Sequence, residues 1–339
     1  MVFCDQFLLY QANRHQVDLT VNQLSQGGVT MGLQEFLEQG IRYDPHYLPD
    51  MNSDHLPMTL CAMQGLGAND AQLQQFQDEY RLRLRTVSSN PLSTGWRGAV
   101  GNPDEYYGLM LYLRGQIDQV GIKEVVKKFL PEFLPGLALE AFHPIIRLGY
   151  AIDFDSAAET SAALAYLITS YREVPFSQQQ LIDLPVALAE QVDVGAHLFK
   201  QERFSKRMVE LVTSQNYAIG SASFETCAKC ALDIYMGTRD FFALHMVTAT
   251  QAARICARIV DPQLIMSCLT GAILAAHKAV GSPAFARPKS LHPSLDPEHS
   301  LKYAWACLSE FDAYGDPRYL DEIKAFRDIG LIPAWSAPA

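Results

Sequence analysis

Positive charge is scarce in this chain. Its 27 lysines and arginines are outnumbered by 37 aspartates and glutamates, for a formal net charge of −10. No basic stripe offsets that balance, so a nucleic-acid partner is not expected, and an anionic membrane surface is disfavoured for the same reason. Long apolar runs are also missing: no stretch of about 18 apolar residues is free of charge, and no transmembrane helix is expected. Alternating β-branched runs are nearly absent, which argues against a sheet-rich fold. There is no G-x-x-x-x-G-K-[ST] loop, and no G-x-G-x-x-G follows a strand, so nucleotide binding through either motif is unsupported. No fixed-period repeat or low-complexity tract stands out, which argues against a regular solenoid.

Cysteine is present but carries no framework. Seven cysteines, at positions 4, 61, 227, 230, 256, 268 and 307, are an odd number and widely scattered. The opening MVFCDQFLLY has no basic segment and too short an apolar run for a secretory leader. The expectation is a reducing, cytoplasmic setting in which thiols act as small hydrophobes. Cys227-Ala-Lys-Cys230 is a lone CxxC with no second ligand pair near it in sequence. Two thiols packed on one helix face explain it better than zinc does.

What the sequence does have is helix signals. Of 339 residues, 49% are hydrophobic, enough to bury a sizeable core. Asn102-Pro103, Asp261-Pro262, Asp296-Pro297 and Asp316-Pro317 each pair an N-cap residue with proline at the first helical position. Ser156-Ala-Ala-Glu159 has the capping-box form. Helices are expected near 54–65, 69–86, 103–120, 122–142, 156–172, 177–190, 205–215, 223–236, 239–260, 262–280, 297–312 and 317–327. Loops are expected at Ser88–Gly101 and Gly281–Asp296. The simplest account is a single all-α domain over residues 1–339, with the first fifty residues hard to assign.

Chemistry points to histidine and one lysine. Of nine histidines, His15, His46 and His292 lie in polar or loop-like surroundings and read as surface residues. His197 and His277 lie near helix ends, where capping or solvent contact explains them. His55, His143, His245 and His299 differ, because each begins or sits within an apolar helical segment. Any one of them alone is more often a hydrogen-bonded core residue than a ligand, and sequence does not bring four together in space. Lys302 stands three residues after His299 in the run LKYAWACL, so the two share a helix face. Burial would lower the lysine pKa and free a neutral amine, able to form a Schiff base or to add carbon dioxide as a carbamate. Snorkelling to the surface along its apolar neighbours is the simpler reading of the lysine alone.

Several stretches together resemble the questin oxidase-like family. They are HLPMTLCAMQGLGA (55–68), GWRGAVGNPDEYYGLMLYLRGQIDQVG (95–121), LPGLALEAFHPIIRLGYAIDF (134–154), ALHMVTATQAA (243–253) and EHSLKYAWACLSEFDAYGDPRY (298–319). The resemblance runs over roughly residues 50 to 325. It departs at Pro144, where many members carry glycine after the AFH motif. The family includes enzymes of aromatic polyketide metabolism. It implies a mononuclear non-haem Fe(II) centre held by four histidines and a carboxylated lysine, here His55, His143, His245, His299 and Lys302, with His277 in reserve for His245. It also implies dioxygen as co-substrate and oxygenation or ring cleavage of a hydroxyanthraquinone-like molecule. Arg147 and Tyr303 are then candidate catalytic residues, and Tyr150 and Trp305 candidate pocket walls, although ion pairing and core packing explain all four equally well. Other readings stay open: a metal-free, NADPH-dependent Baeyer–Villiger-type monooxygenase, a helical protein that binds an aromatic ligand without turning it over, or an acidic scaffold.

Overall fold

The computed structural model describes residues 32–47, 52–93, 95–175, 182–192, 204–214, 222–291 and 295–334. The fold is all-α. Fifteen α-helices and a few 3-10 turns account for nearly all regular structure among the described residues. Their one sheet is a two-stranded antiparallel ribbon, His46–Tyr47 with Asn52–Ser53. One continuous apolar core runs through the helices, from Phe36 and Leu60 through Phe129, Ile145, Leu164 and Leu244 to Ala304 and Phe326.

The caps do the work their sequences suggest. Ser156 accepts from the Glu159 amide, Asp261 from Gln263 and Asp296 from His299, each satisfying an amide that the first helical turn leaves open. Asn102 caps a 3-10 turn, Pro103–Glu105, and the α-helix follows at Tyr106–Val120. Five expectations need correction. A helix, Leu33–Gly40, and the ribbon lie in the segment that sequence left unassigned. The helix expected over 69–86 stops at Tyr80 and tightens into a 3-10 turn. The helix expected from 239 begins at Ala243, because Arg239 is left-handed and the Asp240 carboxylate caps Phe242 and Ala243. The Ser88–Gly101 loop contains one helical turn, Gly95–Gly98. Of the helix expected over 177–190, Leu184–Glu190 is helical and residues 177–181 lie outside the described residues.

One further correction matters most. The expected helix over 122–142 ends at Phe133. Two 3-10 turns follow, and Glu140, Ala141 and Phe142 all have positive φ, at 52°, 53° and 68°. Three consecutive non-glycine residues in the left-handed region cost on the order of 1 kcal/mol each, so surrounding structure must hold them there. This turn redirects the chain into a new helix, His143–Asp153, whose first turn contains Pro144. Proline suits that place because its missing N–H would have had no partner there.

Four helices then close a ring. Leu56–Gly65 packs on His143–Asp153, which packs on Ala243–Cys256, then on Pro297–Tyr314, then back on Leu56–Gly65. Two crossings are glycine-dependent. A Cβ on Gly65 would lie 2.5 Å from the Trp305 ring, and one on Gly149 would lie 2.5 Å from the Ala252 Cβ and 2.6 Å from its Cα. The ring is thereby drawn tight around what its helices carry at their starts.

Candidate metal centre

Each helix of the ring contributes one histidine from its N-terminal end. His55 is the N-cap residue of its helix, His143 the first residue of the next, and His245 and His299 the third residues of theirs. The four imidazoles meet in space. Ring centroids lie 4.8 Å apart for His55–His143, 4.5 Å for His55–His299, 4.9 Å for His143–His245 and 5.1 Å for His245–His299. His55, His143 and His299 each offer a ring nitrogen within 4.8 Å of the others, so the three can hold a metal ion. His245 stands beside this trio, its ring against His143 and His299.

The outer nitrogens are fixed. His143 Nδ1 lies 2.6 Å from the Glu140 carbonyl, the carbonyl that the left-handed turn presents. His245 Nδ1 lies 3.2 Å from the Phe241 carbonyl, and His299 Nδ1 lies 2.5 Å from the Asp296 carboxylate. Each acceptor requires the proton on Nδ1, which leaves the Nε2 lone pair free. This is the arrangement by which partners beyond the metal orient ligating histidines. Two of the freed nitrogens are not otherwise used. His245 Nε2 and His299 Nε2 are buried without a hydrogen-bond partner, as is His55 Nδ1. His143 Nε2 and His55 Nε2 face each other at 2.8 Å. Buried, unpartnered acceptors are costly in a dry interior, and a shared cation would satisfy them together. The residues fit a metal ion.

Electrostatics point the same way. Burial pushes all four imidazoles well below their ordinary pKa, and the Lys302 ammonium and neighbouring imidazoles add to the effect. They are therefore neutral, the form that ligates metals. The positive ends of four helix dipoles meet here, which further opposes imidazolium and favours an anionic group. Lys302, one turn after His299 on the same helix, is almost fully buried and does not snorkel. Burial lowers its pKa to about 8, against the opposing pull of Asp296, Glu298 and Asp54.

A cavity of about 140 Å³ opens onto this cluster. Asn52 and Ser53 of the ribbon form one side, Phe241 and Phe242 another, and Asp296 and Glu298 a third. The Phe241 ring rests 4.5 Å from the His299 ring. Sequence reasoning passed over these wall residues, which come from segments far apart in the chain. One signal was present: in Asp296-x-x-His299 the N-cap carboxylate serves both the His299 amide and the His299 ring.

The other sequence candidates lie elsewhere. Arg147 is buried in a two-point ion pair with Glu159, at 2.6 and 3.1 Å, and is not among the residues lining this cavity. Tyr303 donates to Glu322 at 3.0 Å and packs on Tyr235 and Phe326, so its hydroxyl serves the junction with the Arg318–Asp328 helix. Tyr150 donates to the Lys302 carbonyl, and Trp305 packs against Gly65 and Phe154. His277 is buried, not solvated: Gln191 meets its Nδ1 at 2.7 Å and the Pro283 carbonyl its Nε2 at 2.9 Å, leaving no nitrogen for a metal. His46 is not a simple surface residue, since its Nε2 meets Tyr166 Oη at 3.0 Å and the Glu140 carboxylate at 3.2 Å. Cys227 and Cys230 are buried free thiols. His15, His197 and His292 lie outside the described residues.

Comparison with known proteins places the chain in a family. The model of the questin oxidase-like family matches residues 52–305, well over half the chain, and spans all four histidines and Lys302. The chain belongs to that family. No curated protein matches it. Among the described residues no helix is long and apolar enough to cross a membrane.

Proposed function

We propose that this protein is an oxidoreductase that uses dioxygen to oxygenate, or cleave a ring of, an aromatic polyketide-like substrate at a mononuclear non-haem iron. Family membership supports the oxidase class and the substrate class. The observation that carries the metal part is the pair of buried Nε2 atoms, on His245 and His299, left without partners while the Nδ1 atoms of the same rings are held.

His55, His143, His245 and His299 would supply neutral imidazoles, and Lys302, as its carbamate, one anionic oxygen. Imidazole ligation is compatible with iron, zinc, copper or nickel; the family's oxidase chemistry favours iron. When bound, that iron supplies the redox partner through which dioxygen reacts with an electron-rich ring. The chain's own residues do the rest. A carbamate offsets the positive ends of the four helix dipoles and gives the neutral imidazoles an anionic companion. The depressed pKa of Lys302 provides the neutral amine that carbon dioxide requires. Phe241 and Phe242 give the substrate a ring face and shield the centre from water, while Asn52 and Ser53 offer hydrogen bonds to its oxygens.

The test is oxygen uptake with 1,8-dihydroxyanthraquinone as probe. Uptake that needs Fe(II), is abolished by a strong chelator and proceeds without NADPH is the expected result. Turnover that consumes NADPH and persists in chelator would replace this reading with the metal-free monooxygenase.

A further inference from the structure

A cavity larger than the one at the histidines lies elsewhere among the described residues. About 320 Å³ lies between the ribbon, the start of the Tyr106–Val120 helix and the end of the Ala157–Thr169 helix. We propose that this cavity is a second small-molecule site, for a neutral ring that carries hydroxyl groups.

Its walls argue for that chemistry. Tyr106, Tyr107, Tyr166 and His46 present four rings, which suits a flat partner. Charge excludes an anion. Arg85 is committed to Asp44 at 2.6 Å, which leaves Asp104 as an unbalanced carboxylate on the wall, an acceptor for hydroxyl donors. A carboxylate or phosphate ligand would be repelled there. Tyr106 contributes to the wall, while its hydroxyl is buried away from the cavity. At about 320 Å³ the cavity is large enough for a small ring system.

The two cavities share a wall. Tyr166 Oη meets Ser53 Oγ at 2.9 Å, and Ser53 lines the histidine cavity. His46, from the same ribbon, holds the Glu140 carboxylate, and the Glu140 carbonyl holds His143. A ring bound in the larger cavity therefore presses on residues that position the metal centre, yet none of the proposed metal ligands touches it.

The test is calorimetric titration of the full chain with 2,7-dihydroxynaphthalene, before and after treatment with chelator. Saturable binding of one molecule per chain is expected in both preparations. Val87→Trp, which fills the cavity from its rim, should weaken binding by at least about tenfold. Phe241→Ala, at the other cavity, should leave it unchanged. Absence of saturable binding overturns the proposal. So does binding lost in Phe241→Ala and kept in Val87→Trp, which would put the probe at the histidines. A protein that takes up no metal would sink the iron reading and leave this titration intact.

Discussion

At the scale of single residues, the histidines divide by what their outer nitrogens touch. His277 has both nitrogens engaged by the protein and is structural, whereas His245 and His299 each have one engaged and one buried and empty. This difference is invisible in sequence, where all are single histidines near apolar helices. Asp296 is the residue through which the distinction can be tested. Its carboxylate both caps a helix and holds His299 Nδ1. Asparagine caps a helix as well as aspartate does, but it is a weaker acceptor for an imidazole N–H. Asp296→Asn should therefore cost little stability and lower metal affinity by about tenfold, read by competition with a chelator of known affinity. An equal loss of stability and unchanged affinity would make Asp296 a cap alone.

The same imidazoles give the metal-free protein a pH dependence. Their folded pKa values are held well below the ordinary 6.5 by burial. Between those depressed values and about 6.5, the unfolded chain binds protons that the folded chain refuses. The stabilisation is complete above about pH 6.5 and is lost as the pH falls below it, by up to about 1.4 kcal/mol per pH unit for each imidazole. Urea midpoints of chelator-treated protein at pH 7.5 and 5.5 check this. Equal midpoints would mean that the four rings are already solvated.

At the scale of elements, the site exists because four helices start at one place. Part of this was legible: capping signals placed the start of the Pro297–Tyr314 helix within a residue, as they did those of Ala157–Thr169 and Pro262–Ala279 outside the ring, and the His299–Lys302 spacing put both on one face, but no helix was expected over 143–153. The break before His143 was only partly legible: residues 122–133 have helical periodicity, and Pro135-Gly136, a stop signal that the expected helix ran through, lies where it ends. Tertiary contacts decide the break. A Cβ on Gly136 would meet the Tyr171 ring at 2.8 Å, and Glu140 is held by His46 and His143. The close crossing at Gly149 makes a direct test. Gly149→Ala puts a methyl into the Ala252 backbone, which cannot move away as a flexible side chain could. The expected cost is about 1–3 kcal/mol, with a matching loss of metal affinity, because the His143 and His245 helices are forced apart. Urea unfolding and metal titration of the same variant read both. A variant as stable as the parent would show that this crossing is looser than drawn.

At the scale of the whole molecule, the candidate residues were readable and their surroundings were not. Histidines and a lysine in apolar helices are unusual enough to mark themselves, and the family pattern links them in order. The walls are built from Asn52, Ser53, Phe241 and Glu298, ordinary residues whose meeting depends on how distant segments pack. The second cavity is hidden in the same way, since Tyr106 and Tyr166 come from helices far apart in the chain. The acidic balance of the chain fits a protein whose partners are small molecules. The central claim is the metal. Elemental analysis of protein purified without oxygen and without a histidine tag, beside Lys302→Met, tests it most directly. About one iron per chain, largely lost in the folded variant, is the predicted result. No bound metal, and none taken up on adding Fe(II), would contradict the account and return the four histidines to the core.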